Sequence, residues 1–190
     1  MARAGLSGER LANAGAELAD EGGFEQVTVS ALARRFGVQV ASLYSHVRSS
    51  DDLKARIATV ALTELADQAA AALAGRAGRD ALHALADVYR DYARTHPGRY
   101  AATRHAAAAS VLGEQYVAAG RRHSELVRAV LRGYDLGEPA QTDAVRLLGS
   151  TIHGYITLEL AGSFSHSEPS AGDSWPRIID ALDTLLRSWS

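Results

Sequence analysis

Residues 38–47 carry the side chains best suited to recognition chemistry in this sequence. Helical spacing places Val40, Leu43 and Val47 on one apolar face. The other face presents small, hydroxyl-bearing or planar side chains: Gln39, Ala41, Ser42, Tyr44, Ser45 and His46. Such groups can donate, accept or touch a methyl group at the edges of base pairs in the major groove. The segment is therefore predicted to be a helix that reads DNA.

The flanking residues predict the elements that position this helix. A preceding helix, capped by Thr28 and ended by Gly37, leaves room only for a tight turn before residue 40. A first helix capped by Ser7 precedes this pair, and residues 49–52 form a near capping box for a long helix that follows it. Two helices joined by so short a turn are typical of a helix-turn-helix.

The rest of the chain is predicted to be helical, since no stretch alternates in the manner of a strand. Pro97 is predicted to start a helix that continues through residues 106–109, with Ser110 capping the next one. Residues 163–174 are predicted to form a loop, and Trp175-Pro176 to start the last helix. The predicted fold is all-α, with a three-helix DNA-binding domain over residues 1–50 joined by the long helix to a second helical domain over residues 51–190.

Composition and charge narrow the function classes. The chain has 190 residues, is 47% hydrophobic and contains no cysteine, which excludes disulfides and thiolate chemistry. Residues 28–56 contain five basic and two acidic side chains, whereas residues 1–25 contain two basic and five acidic ones. A local basic face fits oriented contact with phosphates; an ordinary solvated surface of mixed charge is the alternative.

The N-terminus turns polar too early for a secretory signal, and charges interrupt every long apolar run. These features predict a cytoplasmic protein without a membrane partner.

Residues 9–53 resemble the DNA-binding domain of TetR-family transcriptional regulators. The matching positions are Thr28-Val29, Leu32-Ala33, Gly37-Val38, Leu43-Tyr44, His46, Ser49 and Asp52-Leu53. In the C-terminal part, residues 96–100, His153-Gly154 and Leu158-Glu159 resemble one subgroup of the family. The resemblance implies that Tyr44 and His46 contact phosphates, that Thr28 and Ser30 anchor the second helix near the DNA backbone, and that residues 39–45 face bases.

Two positions depart from the family pattern. Val47 stands where the family usually has an aromatic residue, and Ser50 where it usually has lysine. Arg48, Lys54 or backbone amides near Ser50 could replace the missing phosphate contact. The predicted DNA contacts are Thr28, Ser30, Gln39, Val40, Ala41, Ser42, Tyr44, Ser45, His46, Arg48 and Lys54.

The resemblance also implies that residues 51–190 form a helical ligand-binding and dimerisation domain. The two-fold symmetry of a homodimer then predicts a near-palindromic DNA operator. Polar-tipped rings that interrupt apolar stripes are candidates for binding a small apolar or aromatic effector, or else are core residues: Tyr89, Tyr92, Tyr100, Tyr116, His123, His153 and Tyr155. Apolar stripes on the last two helices predict a homodimeric four-helix bundle, the alternative being burial within one chain. The predicted interface residues are Leu148, Ile152, Tyr155, Ile178, Leu182, Leu185, Leu186 and Trp189.

Other functions have weaker support. His105, His123, His153 and Glu159 could converge on a metal, but none of them is spaced as a pair of ligands on one helix face, so no metal or cofactor is predicted. Residues 149–154 contain Ser150 and His153 without the motif or preceding strand of a nucleophile elbow, so no enzymatic activity is predicted. A helical protein-interaction module without specific DNA binding remains the alternative to a regulator.

Overall fold

The computed structural model describes residues 5–105 and 113–189, and within these ranges it contains helices but no strands. The α-helices are α1 (Gly8–Gly22), α2 (Val29–Phe36), α3 (Val40–Leu43), α4 (Ser50–Leu73), α5 (Gly78–Thr95), α6 (Pro97–Ala102), α7 (Glu114–Leu131), α8 (Ala140–Leu160) and α9 (Ala171–Arg187). Short 3-10 turns cover Phe24–Gln26 and Arg132–Tyr134. The all-helical class predicted from the sequence is confirmed.

The chain divides into two compact units. The first comprises Met1–Glu64 and Thr95–Arg121, and the second comprises Leu65–Arg94 and Arg122–Ser190. Helices α4 and α7 each contribute residues to both units. The functional boundary at residue 50 stays a prediction.

The first unit is built on capped helices around an apolar core. The Ser7 hydroxyl oxygen accepts a hydrogen bond from the Arg10 amide, and that of Thr28 accepts one from the Ala31 amide, both at 3.1 Å. Gly37 ends α2 at φ 64°, a left-handed conformation that glycine adopts without steric cost. The core side chains are fully buried and include Leu11, Leu32, Leu43, Leu53 and Ile57. The caps and the core together hold the short turn between α2 and α3.

Helix α6 packs tightly on α1 within the first unit. A Cβ added to Gly98 would lie 1.9 Å from the Ala19 carbonyl oxygen, so only glycine fits there. Beside this contact, the Asp20 carboxylate accepts hydrogen bonds from the Arg99 amide at 2.9 Å and lies 3.0 Å from His96 Nδ1. Pro97 occupies the first turn of α6, where its missing N–H costs no helical hydrogen bond.

The second unit combines an apolar core with buried charges. Leu148, Ile152, Leu182 and Leu186 are buried within the single chain. Arg90 donates to both carboxylate oxygens of Glu159, at 2.8 and 2.6 Å.

Glu159 and Arg90 also contact residues other than each other. The Arg94 guanidinium also donates to Glu159, at 2.8 Å. The Arg90 guanidinium lies over the Trp175 ring, and the Trp175 indole N–H donates to Asp87 at 2.7 Å. Every charged group in this cluster therefore has a partner inside the unit.

Three helix bounds differ from the sequence prediction. Helix α9 begins at Ala171 because the Ser170 hydroxyl caps the Asp173 amide at 3.1 Å, which leaves Pro176 inside the helix. Helix α6 ends at Ala102 and residues 103–105 are not helical, so the predicted continuation is wrong at these positions; residues 106–109 and the Ser110 cap lie outside the described residues. Helix α3 has only 4 residues.

Candidate nucleic-acid interface

The predicted DNA-reading helix consists of one α-helical turn, α3, followed by hydrogen-bonded turns that are not α-helical. Beyond α3, the amides of His46 and Val47 both donate to the Leu43 carbonyl, at 2.9 and 3.0 Å. Leu43 is fully buried and Val47 is 2% exposed. These two side chains anchor residues 39–46, called the reading segment below, although the helix itself is short.

The side chains of the reading segment face solvent. Tyr44 is 51% exposed and Val40 is 36% exposed. Gln39, Ala41, Ser42 and Ser45 are also exposed, and His46 is half-buried. The Ser45 hydroxyl donates to the Ser42 carbonyl at 2.8 Å, which leaves its oxygen lone pairs to accept from a ligand. The segment thus presents small polar groups and methyl groups on a surface that the chain leaves open.

Helix α2 offers an exposed polar face next to this segment in the sequence. Thr28 and Ser30 are exposed, and the Thr28 hydroxyl oxygen serves as the cap. Arg34 lies one helical turn after Ser30 on the same face and is exposed. Within the described residues no ion pair holds Arg34, whereas Arg35 binds Glu17 and Glu21 of α1. In the sequence Arg34 is one of the five basic residues of positions 28–56 and is not among the predicted DNA contacts. Its spacing of four residues from Ser30 is the signal that places both on one helix face.

The two predicted phosphate-binding cations differ in their surroundings. Lys54 is 19% exposed, and its ammonium group lies 2.7 Å from Glu25 and over the Phe24 ring. Arg48 is 70% exposed, and one nitrogen of its guanidinium lies 3.1 Å from Asp52. Arg48 is therefore the better placed of the two to meet a phosphate.

Asp52 is the buried carboxylate behind Arg48, with 3% of its surface exposed. Burial acts to raise its pKa, but hydrogen bonds from the Arg48 amide and from the Arg56 and Arg48 side chains outweigh burial and lower the pKa. The carboxylate consequently stays charged at neutral pH.

The second unit brings together three of the candidate effector-binding rings. The Tyr89 hydroxyl lies 2.5 Å from His123 Nδ1, and the Tyr89 ring meets the His153 ring edge-on at 5.6 Å. Burial raises the pKa of Tyr89, so its hydroxyl keeps its proton and can donate to the histidine. The three aromatic rings thus lie together with a hydroxyl group and ring nitrogens that a ligand could contact.

The other effector candidates have different surroundings. Tyr92 is buried at 2% exposure, and the Tyr155 hydroxyl donates to the Ala171 carbonyl at 2.7 Å. Tyr100 and Tyr116 belong to the first unit, where the Tyr116 hydroxyl donates to the His105 carbonyl.

The residues considered for a metal or for catalysis have structural partners. His105 packs edge-on against Phe24 in the first unit, and Glu159 binds two arginines in the second. Among residues 5–105 and 113–189 no three histidine or acidic side chains form a group that could hold a metal. The Ser150 hydroxyl donates to the Leu147 carbonyl of its own helix. Within the same ranges no helix is long and apolar enough to cross a membrane.

The predicted interface residues divide by exposure. Leu148, Ile152, Leu182 and Leu186 are buried in the core of the second unit, and Tyr155, Ile178 and Trp189 are half-buried. Leu185 is 46% exposed. Leu158 and Leu160, which are not among the predicted interface residues, are 47% and 44% exposed. A single apolar stripe in the sequence does not show which of its flanks the chain covers.

Two family models match the chain. The model for the N-terminal domain of bacterial regulatory proteins of the tetR family matches residues 11–57. The model for the tetracyclin repressor-like C-terminal domain matches residues 82–182. The chain belongs to the TetR family. It is a helix-turn-helix transcriptional regulator, and the TetR family is a non-enzymatic one.

Relatives agree with this assignment. An uncharacterised HTH-type transcriptional regulator of Mycobacterium tuberculosis, Rv0681, is 36% identical over 83% of this chain and 72% of its own length. The uncharacterised regulator YobS of Bacillus subtilis is 32% identical over 98% of this chain and 92% of its own. A TetR variant from Acinetobacter baumannii, solved with minocycline, has the same fold, with a TM-score of 0.73 at 18% identity over 98% of this chain and 99% of that one.

Proposed function

We propose that this TetR-family chain is a repressor that binds a near-palindromic operator as a homodimer and is released by a small apolar or aromatic effector. The observation that carries the proposal is the reading segment, whose polar side chains are exposed while Leu43 and Val47 are buried beneath them. A globular chain that exposes such groups on a turn anchored in the core has a surface for contacting a groove.

The reading segment divides its work between positioning and specificity. Tyr44 and His46 contact phosphates, with Thr28 and Ser30 near the same backbone. The residues left to specify the sequence are Gln39, Val40, Ala41, Ser42 and Ser45. Because most of these are small, discrimination rests largely on methyl contacts, bridging water and DNA shape.

The exposure of the basic side chains indicates which of them can bind phosphates. Arg48 and Arg34 are proposed to bind the DNA backbone, since both are exposed and Arg34 shares a helix face with Ser30. Lys54 would have to leave Glu25 before it could do so, which makes it the weakest member of the predicted set.

The homodimer is proposed to form through the outer faces of α8 and α9. Leu158 and Leu185 are large exposed apolar side chains on these helices, and a Cβ added to Gly154, one turn before Leu158, would meet nothing within 4 Å. Two such helices from each chain can form a four-helix bundle about a two-fold axis. Exposed apolar area is covered in this arrangement.

The effector is proposed to bind at Tyr89, His123 and His153. Their rings can pack on an apolar ligand while the hydroxyl and ring nitrogens bind its polar groups. The Acinetobacter protein solved with minocycline offers a precedent, within the same fold, for a ligand with fused rings.

The first experiment selects genomic DNA fragments bound by the purified protein and titrates the selected site against operator variants. We expect Tyr44→Phe to weaken binding to all sequences about tenfold, through loss of one charge-assisted hydrogen bond. Gln39→Ala should instead change the order of preference among variants. Equal losses on every variant for both mutants would contradict the division of roles. Protein that selects no sequence at any salt concentration would favour the protein-interaction module.

Sedimentation of the leucine variants tests the dimer. Leu158→Gln is expected to shift the protein toward monomer, since it puts an amide on the proposed apolar face. Leu160→Gln is a matched control, because Leu160 is similarly exposed but lies about 200° around the helix from Leu158. Monomer formed equally by both variants, or by neither, would refute this interface.

Release of bound DNA by a panel of small molecules tests the effector site. Tyr89→Phe should lower the potency of any active compound and leave operator affinity unchanged. Tyr134→Phe is the control, because Tyr134 is also a buried tyrosine of the second unit and its hydroxyl donates to Asp183 at 2.7 Å. Equal potency losses for the two variants would argue against a site at Tyr89.

A further inference from the structure

Asp52 makes more contacts than its place in the capping box requires. Its own amide donates to the Ser49 hydroxyl oxygen at 3.0 Å, which satisfies the first turn of α4. Its carboxylate accepts three further hydrogen bonds: from the Arg48 amide at 2.9 Å, from an Arg48 guanidinium nitrogen at 3.1 Å and from Arg56 Nε at 3.1 Å. In an ordinary capping box the acidic side chain serves the cap residue's amide rather than two arginines.

The two oxygens of Asp52 hold Arg48 at two points. Oδ2 accepts from the Arg48 main chain and Oδ1 accepts from its side chain. Only one of the guanidinium nitrogens is used in this way, and the Arg48 side chain is 70% exposed. The remaining donors of the planar guanidinium are therefore fixed in direction and open to solvent, as bidentate phosphate binding requires.

Arg56 makes this arrangement positive overall. It is 42% exposed and pairs with the same buried carboxylate, so two guanidinium groups surround one negative charge. A carboxylate paired with Arg48 alone would cancel the charge that attracts a phosphate. With Arg56 present, the three side chains carry one net positive charge directly after the reading segment.

We propose that Asp52 is a positioning residue for DNA binding, which holds the Arg48 guanidinium toward a backbone phosphate while Arg56 compensates its charge. This inference rests on the proposed DNA-binding role of the reading segment. The family usually has a lysine at the position of Ser50. The inference assigns the phosphate contact of that missing lysine to the Arg48–Asp52–Arg56 group.

The experiment measures operator affinity over a range of salt concentrations. Arg48→Gln should weaken binding about tenfold and reduce the slope of log K against log salt by about 0.9, the contribution of one phosphate contact. Asp52→Asn should weaken binding and reduce the slope to a similar extent. Charge alone predicts the opposite sign, because removing an acidic group favours DNA. Asp51→Asn, at the exposed neighbouring position, is the matched control and should bind as tightly as the wild type or tighter.

Combining the variants separates positioning from folding. In the Arg48→Gln background, Asp52→Asn should cause no further loss of affinity or slope, even where it lowers the melting temperature. Additive losses would overturn the proposal, as would an Asp52→Asn protein with the wild-type slope.

A variant at the exposed position keeps the test independent of folding. Arg48→Lys retains the charge but lacks the planar guanidinium that can bind Asp52 and a phosphate at the same time in fixed directions. The salt slope of this variant should therefore fall toward that of Arg48→Gln. Wild-type binding by Arg48→Lys would overturn positioning by Asp52. If the wild-type protein shows no sequence preference, both the proposed function and this inference fail; if only the Asp52 and Arg48→Lys results differ from expectation, the proposed function stands without it.

Discussion

Polar side chains are exposed in the reading segment, whereas they are buried and paired in the Arg90–Glu159 cluster, which consists of Arg90, Glu159 and their partners. In the described part of the chain, the side chains of Gln39 and Tyr44 have no hydrogen-bond partner and are exposed. Arg90 and Glu159 are only 9% and 11% exposed, and each is bound by the other and by further neighbours. Groups left without partners can be altered at little cost to folding and are suited to an external ligand, whereas fully paired buried groups contribute to the stability of the unit itself.

The largest expected effect is on the buried cluster. Glu159→Ala leaves Arg90 buried without its carboxylate, and we expect the free energy of unfolding to fall by about 3 kcal/mol. Urea unfolding measures this change. Glu138→Ala is the matched control, since Glu138 pairs with Arg128 at an exposed site, and it should leave the unfolding midpoint close to that of the wild type. Equal effects from both variants would remove the contrast between buried and exposed polar groups.

Acid should weaken the same cluster by a smaller amount. Hydrogen bonding to Arg90, followed by charge interactions with Arg90 and Arg94 and opposed by burial, lowers the pKa of Glu159 below its ordinary value of 4.5. A carboxylate with a lowered folded-state pKa contributes stability above its ordinary pKa and loses it as the pH falls through the folded-state value. Unfolding free energy measured from neutral pH to below pH 4.5 should therefore fall less steeply in Glu159→Gln than in the wild type. Parallel curves would show that Glu159 does not contribute to acid lability.

The smallest expected effect is on the exposed side of the comparison. Arg34→Gln should reduce the salt slope of operator binding by about 0.9 and leave the melting temperature unchanged. Arg35→Gln should leave the slope unchanged, because Arg35 is bound to Glu17 and Glu21 rather than open to DNA. Titrations of both variants on one operator fragment measure the difference. A slope lowered by Arg35→Gln as much as by Arg34→Gln would mean that ion pairs on α1 do not withhold an arginine from DNA.

Local signals in the sequence predicted the start of α1 and both ends of α2. Ser7, Thr28 and Gly37 cap helices as expected, because capping depends on side chains within a few residues. The start of α9 was predicted wrongly, since Pro176 is a familiar start signal but the Ser170 cap decides the first turn. The loop prediction for residues 163–174 failed at its end for the same reason.

Long-range contacts set the limits of the site prediction. Arg48 and Lys54 look alike as cations near the reading segment, yet Glu25, 29 residues before Lys54, engages only the second. The partners of Arg90 and Tyr89 lie 69 and 34 residues away. The sequence pattern could therefore name the rings and Glu159, but it could neither name Arg90 nor group these side chains. The fold class followed from periodicity and resemblance, whereas the availability of each side chain depends on which distant segments meet.

The reading segment has a consequence for how binding preference can evolve. Leu43 and Val47 tie it to the core, while Ala41, Ser42 and Ser45 are exposed and small. Substitutions at these three positions alter the surface that is proposed to face bases without opening a cavity, so most of them leave the fold near its original stability. Duplicated copies of such a gene can therefore diverge toward different operators through single, individually tolerated changes.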